Sequence, residues 1–62
     1  MEKTQLIGKR IRINYMEDLA PVPEGTEGTI TGIDDIGQIR VQWDNGSTLS
    51  VIEEIDNFDI LN

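Results

Sequence analysis

The 62-residue sequence contains no cysteine and no histidine. Without cysteine there is no disulfide staple, no thiol nucleophile and no thiolate metal site. Without histidine, a Ser-His-Asp triad, an imidazole acid or base and a His-ligated metal are excluded too. Aromatic residues are scarce: one Trp, one Tyr and one Phe, which argues against the aromatic-lined groove that polyproline recognition uses. Positive charge is scarce as well. Five Lys and Arg stand against 12 Asp and Glu, for a net charge of −7. That balance disfavours a generic DNA, RNA or anionic-membrane binder, which needs a surplus of cations. It permits a basic protein partner. No apolar run approaches the ~18–20 residues of a membrane span. Residues 1–5 lead into no apolar signal region. The expectation is a cytoplasmic protein with no membrane association and no cofactor.

What is present is a period of two. Ile11 and Ile13 alternate with Arg10, Arg12 and Asn14, and Tyr15 falls on the isoleucine face, so residues 9–15 read as a first strand. A long connection follows over 16–25. Its Pro21 and Pro23 exclude a helix interior or a central strand there. Residues 26–33 are Thr-rich and strand-like. Gly28 and Gly32 share the face of Ile30, where glycine marks tight bending or close backbone approach. Asp34 to Gly37 is a turn. Ile39, Val41 and Trp43 line one face of a strand over 38–43, and Asn45-Gly46 signals a tight hairpin of type I′. The chain returns as a strand over 47–52, with Leu49 and Val51 inward. Residues 53–57 read as one helical turn and 58–61 as a short last strand.

Five short strands in about 60 residues favour a small barrel over a sandwich. The expected fold is all-β, a single domain over 1–62 with its core in 6–61. It is a small five-stranded Src-homology-3-like barrel, with a long first loop and one short helical turn before the last strand. The expected core is Ile7, Ile11, Ile13, Ile30, Ile33, Ile39, Val41, Leu49, Val51, Ile55, Phe58 and Ile60. Exposed edge strands allow a monomer or a weak homodimer.

Gly8-Lys9-Arg10-Ile11-Arg12, the run from Pro21 to Ile30, Asp34-Asp35-Ile36-Gly37-Gln38-Ile39, and Trp43-Asp44-Asn45-Gly46 with Leu49 carry a resemblance over residues 8–61. Together they resemble an uncharacterised family of short proteins, a domain of unknown function, found in bacteria and in their phages and conjugative elements. The resemblance implies a small β-barrel and brings no activity or catalytic residue with it. A looser similarity is to KOW-type and Tudor-like small barrels, some of which bind nucleic acid or ribosomal partners; that analogy is one of fold.

Trp43 has two readings: a platform for a partner, or a cap on the core. Its phase with Ile39 and Val41 favours the cap. The first loop, with Tyr15, Met16, Leu19 and Val22, is unusually apolar for a plain connection. It either frames a shallow binding site or folds back over one end of the barrel. The acids, at Glu17-Asp18, Glu24, Glu27, Asp34-Asp35 and Glu53 to Asp59, have no calcium-loop spacing. They read first as a solvated face. Lys9, Arg10, Arg12 and Arg40 could form a narrow phosphate-contacting edge; pairing across the sheet with acids such as Asp59 is the plainer reading.

No nucleophile–base pair can be assembled, and a fold this small has little concavity. The expected function is therefore non-enzymatic: a protein–protein interaction module contacting its partner through Tyr15, Met16, Leu19, Val22 and Trp43. The alternatives are a nucleic-acid-binding KOW-like barrel using Lys9, Arg10, Arg12 and Arg40, or an acidic nucleic-acid mimic that inhibits a host protein from a mobile element.

Overall fold

The structure, a computed structural model describing residues 3–61, consists of four antiparallel strands preceded by one 3-10 turn. The turn spans Lys3–Leu6; the strands are β1 (Arg10–Tyr15), β2 (Glu27–Ile33), β3 (Ile39–Trp43) and β4 (Asn57–Ile60). They form a single sheet in the order β3-β2-β1-β4, so the first and last strands are neighbours. Each strand lies within a residue or so of a stretch with period-two alternation, and β3 keeps that alternation throughout: Ile39, Val41 and Trp43 buried, Arg40 and Gln42 exposed.

The expected fifth strand over 47–52 is absent. Its register survives at both ends: the Trp43 N–H donates to the Ser47 carbonyl at 2.9 Å, and Ile39 and Val51 exchange both backbone bonds at 2.9 and 2.8 Å. Between those ends the ladder opens. The Leu49 carbonyl accepts from the Trp43 indole Nε1 at 2.9 Å, and the Leu49 N–H donates to Ser47 Oγ at 3.3 Å. With both groups of Leu49 diverted, the pairing with Val41 is lost and only the Ile39–Val51 bridge remains. Nor does the sheet close: among the described residues no ladder joins β3 to β4, so the expected barrel is an open sheet. The helical turn expected over 53–57 is a shorter turn, in which the N–H groups of Ile55 and Asp56 both donate to the Ile52 carbonyl. Asn57 already belongs to β4.

The Asn45-Gly46 hairpin also differs from type I′. Only glycines carry positive φ among the described residues, and Gly46 (+92°) is the one here. Its N–H donates to the Trp43 carbonyl at 3.0 Å. This is a three-residue loop ending on a left-handed glycine, the next most common hairpin after the two-residue turns.

Nine apolar side chains form the core: Ile11, Ile13, Met16, Val22, Ile30, Ile39, Val41, Trp43 and Val51. Leu6, Ile33, Leu49 and Phe58 pack against it, partly buried. Ile7, Ile55 and Ile60, expected inside, are exposed. Leu6 takes the inward place at the end of the 3-10 turn in place of Ile7, Ile55 lies in the turn before β4, and Ile60 lies near the end of an edge strand.

Gly28 sits opposite Trp43 in the β2–β3 register. A Cβ there would lie 2.8 Å from the Gln42 carbonyl oxygen, 2.8 Å from Val41 Cγ1 and 3.0 Å from Trp43 Cα. Two of those atoms are backbone and cannot swing away. Gly28→Ala should destabilise by roughly 1–3 kcal/mol, whereas Gly32→Ala, whose Cβ meets only Arg40 Cδ at 3.9 Å, should leave the melting temperature near wild type. Thermal denaturation of the two variants side by side checks this. Equal losses would show that the contact at Gly28 is not the constraint.

Candidate functional site

The register between β1 and β4 shifts between Ile13 and Tyr15: Ile13 faces Phe58, yet Tyr15 faces Asn57. Asn14 is the extra residue of a β-bulge. Its side-chain amide donates to Asn57 Oδ1 at 2.9 Å and to Asp59 Oδ2 at 3.1 Å, which holds the bulge in place. A bulge re-aims the side chains beyond it. Tyr15, on the isoleucine face by simple alternation, is instead 58% exposed, and Met16 turns into the core in its stead.

Of the five candidate contact residues, two are therefore presented to solvent and three are buried. Tyr15 and Leu19 are exposed, Leu19 completely; Met16, Val22 and Trp43 belong to the core. Val22 folds back over the core, as one of the two readings of the loop expects, while Leu19 does not. Two shallow clefts flank Tyr15. One of about 330 Å³ is lined by Tyr15, Glu17, Asp18 and Leu19. The other, about 280 Å³, lies on the side of Pro21, Pro23 and Glu24. The Tyr15 hydroxyl donates to Glu17 Oε2 at 2.8 Å, and that bond, with the nearby carboxylate charge, holds its pKa above the usual phenol range. The loop itself is tightened where the Asp18 carboxylate accepts from the Ala20 N–H at 2.9 Å.

Asp56 anchors the loop. It is buried, the one polar residue in that class among the described residues. Its two carboxylate oxygens accept from the Glu17 N–H at 2.8 Å and the Ile52 N–H at 2.9 Å. A single side chain therefore ties the start of the first loop to the turn before β4. By sequence Asp56 is one acid among several; its spacing of four from Ile52 is the only cue to its role.

The basic residues are placed differently. Arg10 lies beside Asp44, with contacts at 2.6 and 3.1 Å, and within 3.5 Å of Glu27; it also donates to Thr29 Oγ1. The Asp44 hydrogen bond raises the Arg10 pKa, and the same contact lowers that of Asp44. Arg12 pairs with Asp59 at 3.0 Å. Hydrogen bonds from Asn14 and then Arg12 hold the Asp59 carboxyl below its usual range. The cross-sheet pairing expected of Arg10 and Arg12 is thus present. Lys9 and Arg40 carry no ion pair among the described residues.

Comparison with known proteins assigns a family and adds no activity. The model of a family described as a domain of unknown function, DUF4314, matches residues 2–61, and the chain belongs to that family. No curated protein and no solved structure gives a significant match. Among the described residues no helix is long and apolar enough to cross a membrane.

Removing the anchor tests the loop's dependence on it. Asp56→Ala leaves two backbone donors without their charged acceptor, a loss of about 1.5–3 kcal/mol, and should lower the melting temperature by several degrees. Amide exchange should quicken first at Glu17 and Ile52; unchanged exchange at both would refute the anchor. The surface pairs give a pH prediction. Asp44 and Asp59 have folded-state pKa values below the unfolded value of about 3.9. Their contribution is therefore complete above that pH and is lost as pH falls through the lower folded values. Melting temperature should decline with acidification below about pH 4, and less steeply in the Arg10→Gln/Arg12→Gln variant. Parallel acid profiles for variant and wild type would show that these pairs do not contribute.

Proposed function

We propose that this chain is a small non-enzymatic protein-interaction module that takes a basic partner on its first loop. The observation that carries the reading is the bulge at Asn14, which turns an aromatic residue out of a nine-residue core. An exposed Tyr15 beside a fully exposed Leu19 leaves apolar area in water in a domain that has little to spare. Glu17, Asp18 and Glu24 rim the clefts on either side. That combination suits a partner segment carrying Lys or Arg: the carboxylates attract it, and the tyrosine face supplies a cation–π contact worth roughly 0.5–1 kcal/mol at an exposed site.

The order of the sheet, with residues 47–51 lying beside β3, supports the Src-homology-3-like reading of the fold, in which the first loop flanks the ligand groove. The nucleic-acid reading has less support. Arg10 and Arg12 already face carboxylates, and a phosphate would have to displace Asp44, Glu27 or Asp59 from them. The acidic-mimic reading shares its basic partner with the first and differs in which surface makes the contact.

The test is affinity capture from lysate of the source cells, after nuclease treatment, with wild type and a Tyr15→Ser/Leu19→Ser variant compared. Both side chains are exposed, so the variant should fold with near-wild-type stability. Wild type should retain a basic protein that the variant loses. Capture that disappears with nuclease, or that the variant retains in full, would overturn the reading.

A further inference from the structure

The opening between β3 and residues 47–51 has its own chemistry, separate from the first loop. Along β3, Ile39 and Trp43 direct their N–H groups away from β2, toward the returning chain. Alternation aims the N–H and C=O of Val41 the same way. The natural partner of Val41 is Leu49, but the two polar backbone groups of Leu49 are taken by the Trp43 indole and by Ser47 Oγ. Val41 is left facing a slot of about 310 Å³, which it lines together with Thr31, Arg40, Gln42, Thr48 and Ser50. Polar backbone groups next to an open slot need partners from outside the ladder.

Three features say which partner. Arg40 is exposed and has no carboxylate beside it among the described residues, whereas Lys3, Arg10 and Arg12 each do. No acid lines the slot, in a chain with 12 of them. Three hydroxyl-bearing residues line the slot, Thr31, Thr48 and Ser50, and the Thr31 hydroxyl is already donated to the Arg40 carbonyl at 3.3 Å. The lining residues bring a guanidinium, two hydroxyls, a side-chain amide and a backbone N–H to one slot, with the Val41 carbonyl beside them. This set is rich in donors and holds no negative charge.

We propose that this slot is a binding site for a phosphate-type oxyanion, held by the Arg40 guanidinium and the Val41 N–H with Thr48 and Ser50 as supporting donors. The guanidinium fork matches two oxygens of such a group at once. The site is independent of the first loop, and neither reading depends on the other.

Amide chemical shifts of the labelled protein, titrated with inorganic phosphate against sodium chloride of matched ionic strength, test it. A parallel titration with phosphoserine distinguishes a free anion from a phosphate ester. Saturable shifts centred on Val41, Thr48 and Ser50, from at least one of the two probes and absent with chloride, are expected. Arg40→Gln should weaken them at least ~10-fold, the loss of a charge-assisted bidentate contact, while Arg12→Gln on a different strand should leave them unchanged. Both substitutions replace exposed or half-exposed side chains, and the dispersion of each variant's spectrum verifies its fold. Non-saturating shifts that follow ionic strength alone, or equal losses in the two variants, would overturn the site.

Discussion

One indole has to be housed in a core of nine side chains, and its N–H must still find an acceptor there. Trp43 is 1% exposed, so water cannot serve. The solution involves two other positions. Gly28, opposite Trp43 on β2, has no Cβ, and the two backbones approach too closely for one. Across the other edge of β3, Leu49 supplies its carbonyl to the indole. That second choice removes Leu49 from the ladder, and the backbone bonds from β3 to the returning chain are those at Ser47 and Val51. The missing strand and the slot beside Arg40 both trace back to satisfying one nitrogen atom.

Local side-chain bonds to the backbone and across strands decide where the sequence is legible and where it is not. Alternation reads correctly wherever pairing is regular: Ile39, Val41 and Trp43 are all buried, as their phase requires. It fails at two bulges. The extra residues, Asn14 on β1 and Thr31 on β2, each shift the register by one, and a shift of one exchanges the faces of the residues beyond it. Both are short polar side chains bonded to the neighbouring strand, Asn14 to Asn57 and Asp59, Thr31 to the Arg40 carbonyl. Nothing in the alternation of β1 alone distinguishes Tyr15 inward from Tyr15 outward, because the partners that decide it, Asn57 and Asp59, lie at the far end of the chain. The strand over 47–52 fails for a related reason. Its apolar phase is right, with Val51 buried, yet its backbone groups are claimed by side chains, which phase does not report.

The acid surplus is likewise less uniform than composition suggests. Asp44 and Glu27 lie on Arg10, Asp59 on Arg12 and Glu53 on Lys3. Asp34 and Asp56 accept backbone N–H groups, Asp34 within the turn before β3 and Asp56 between the first loop and the turn before β4. Around Tyr15 lies a local group, Glu17, Asp18 and Glu24, none of them paired with a cation among the described residues; Glu17 accepts from the Tyr15 hydroxyl and Asp18 from the Ala20 N–H. Screening at physiological salt confines a surface charge to about 8 Å, against a molecule 27 Å along its longest axis. The loop's attraction for a cation is therefore local to the loop, and it does not oppose an anion at a slot whose lining includes no acid. A net charge of −7 and an anion-receptive slot are compatible because the charge is not spread evenly.

Each of the two surfaces arises where a ladder is interrupted, and each interruption is held by one buried side chain. The bulge that exposes Tyr15 leads into a loop fastened by Asp56; the opening beside Val41 is fastened by the Trp43 indole. A domain of this size has a small core and little stability to spare, so an interruption is costly where nothing else satisfies the freed groups. At the loop that balance is closed: the Glu17 and Ile52 donors both reach Asp56. At the slot it is closed for Leu49 and left open for Val41. An opening that is stabilised on one side only is the place where an outside group has most to gain. That asymmetry, more than the presence of Arg40, is what separates the slot from an ordinary gap between two strands.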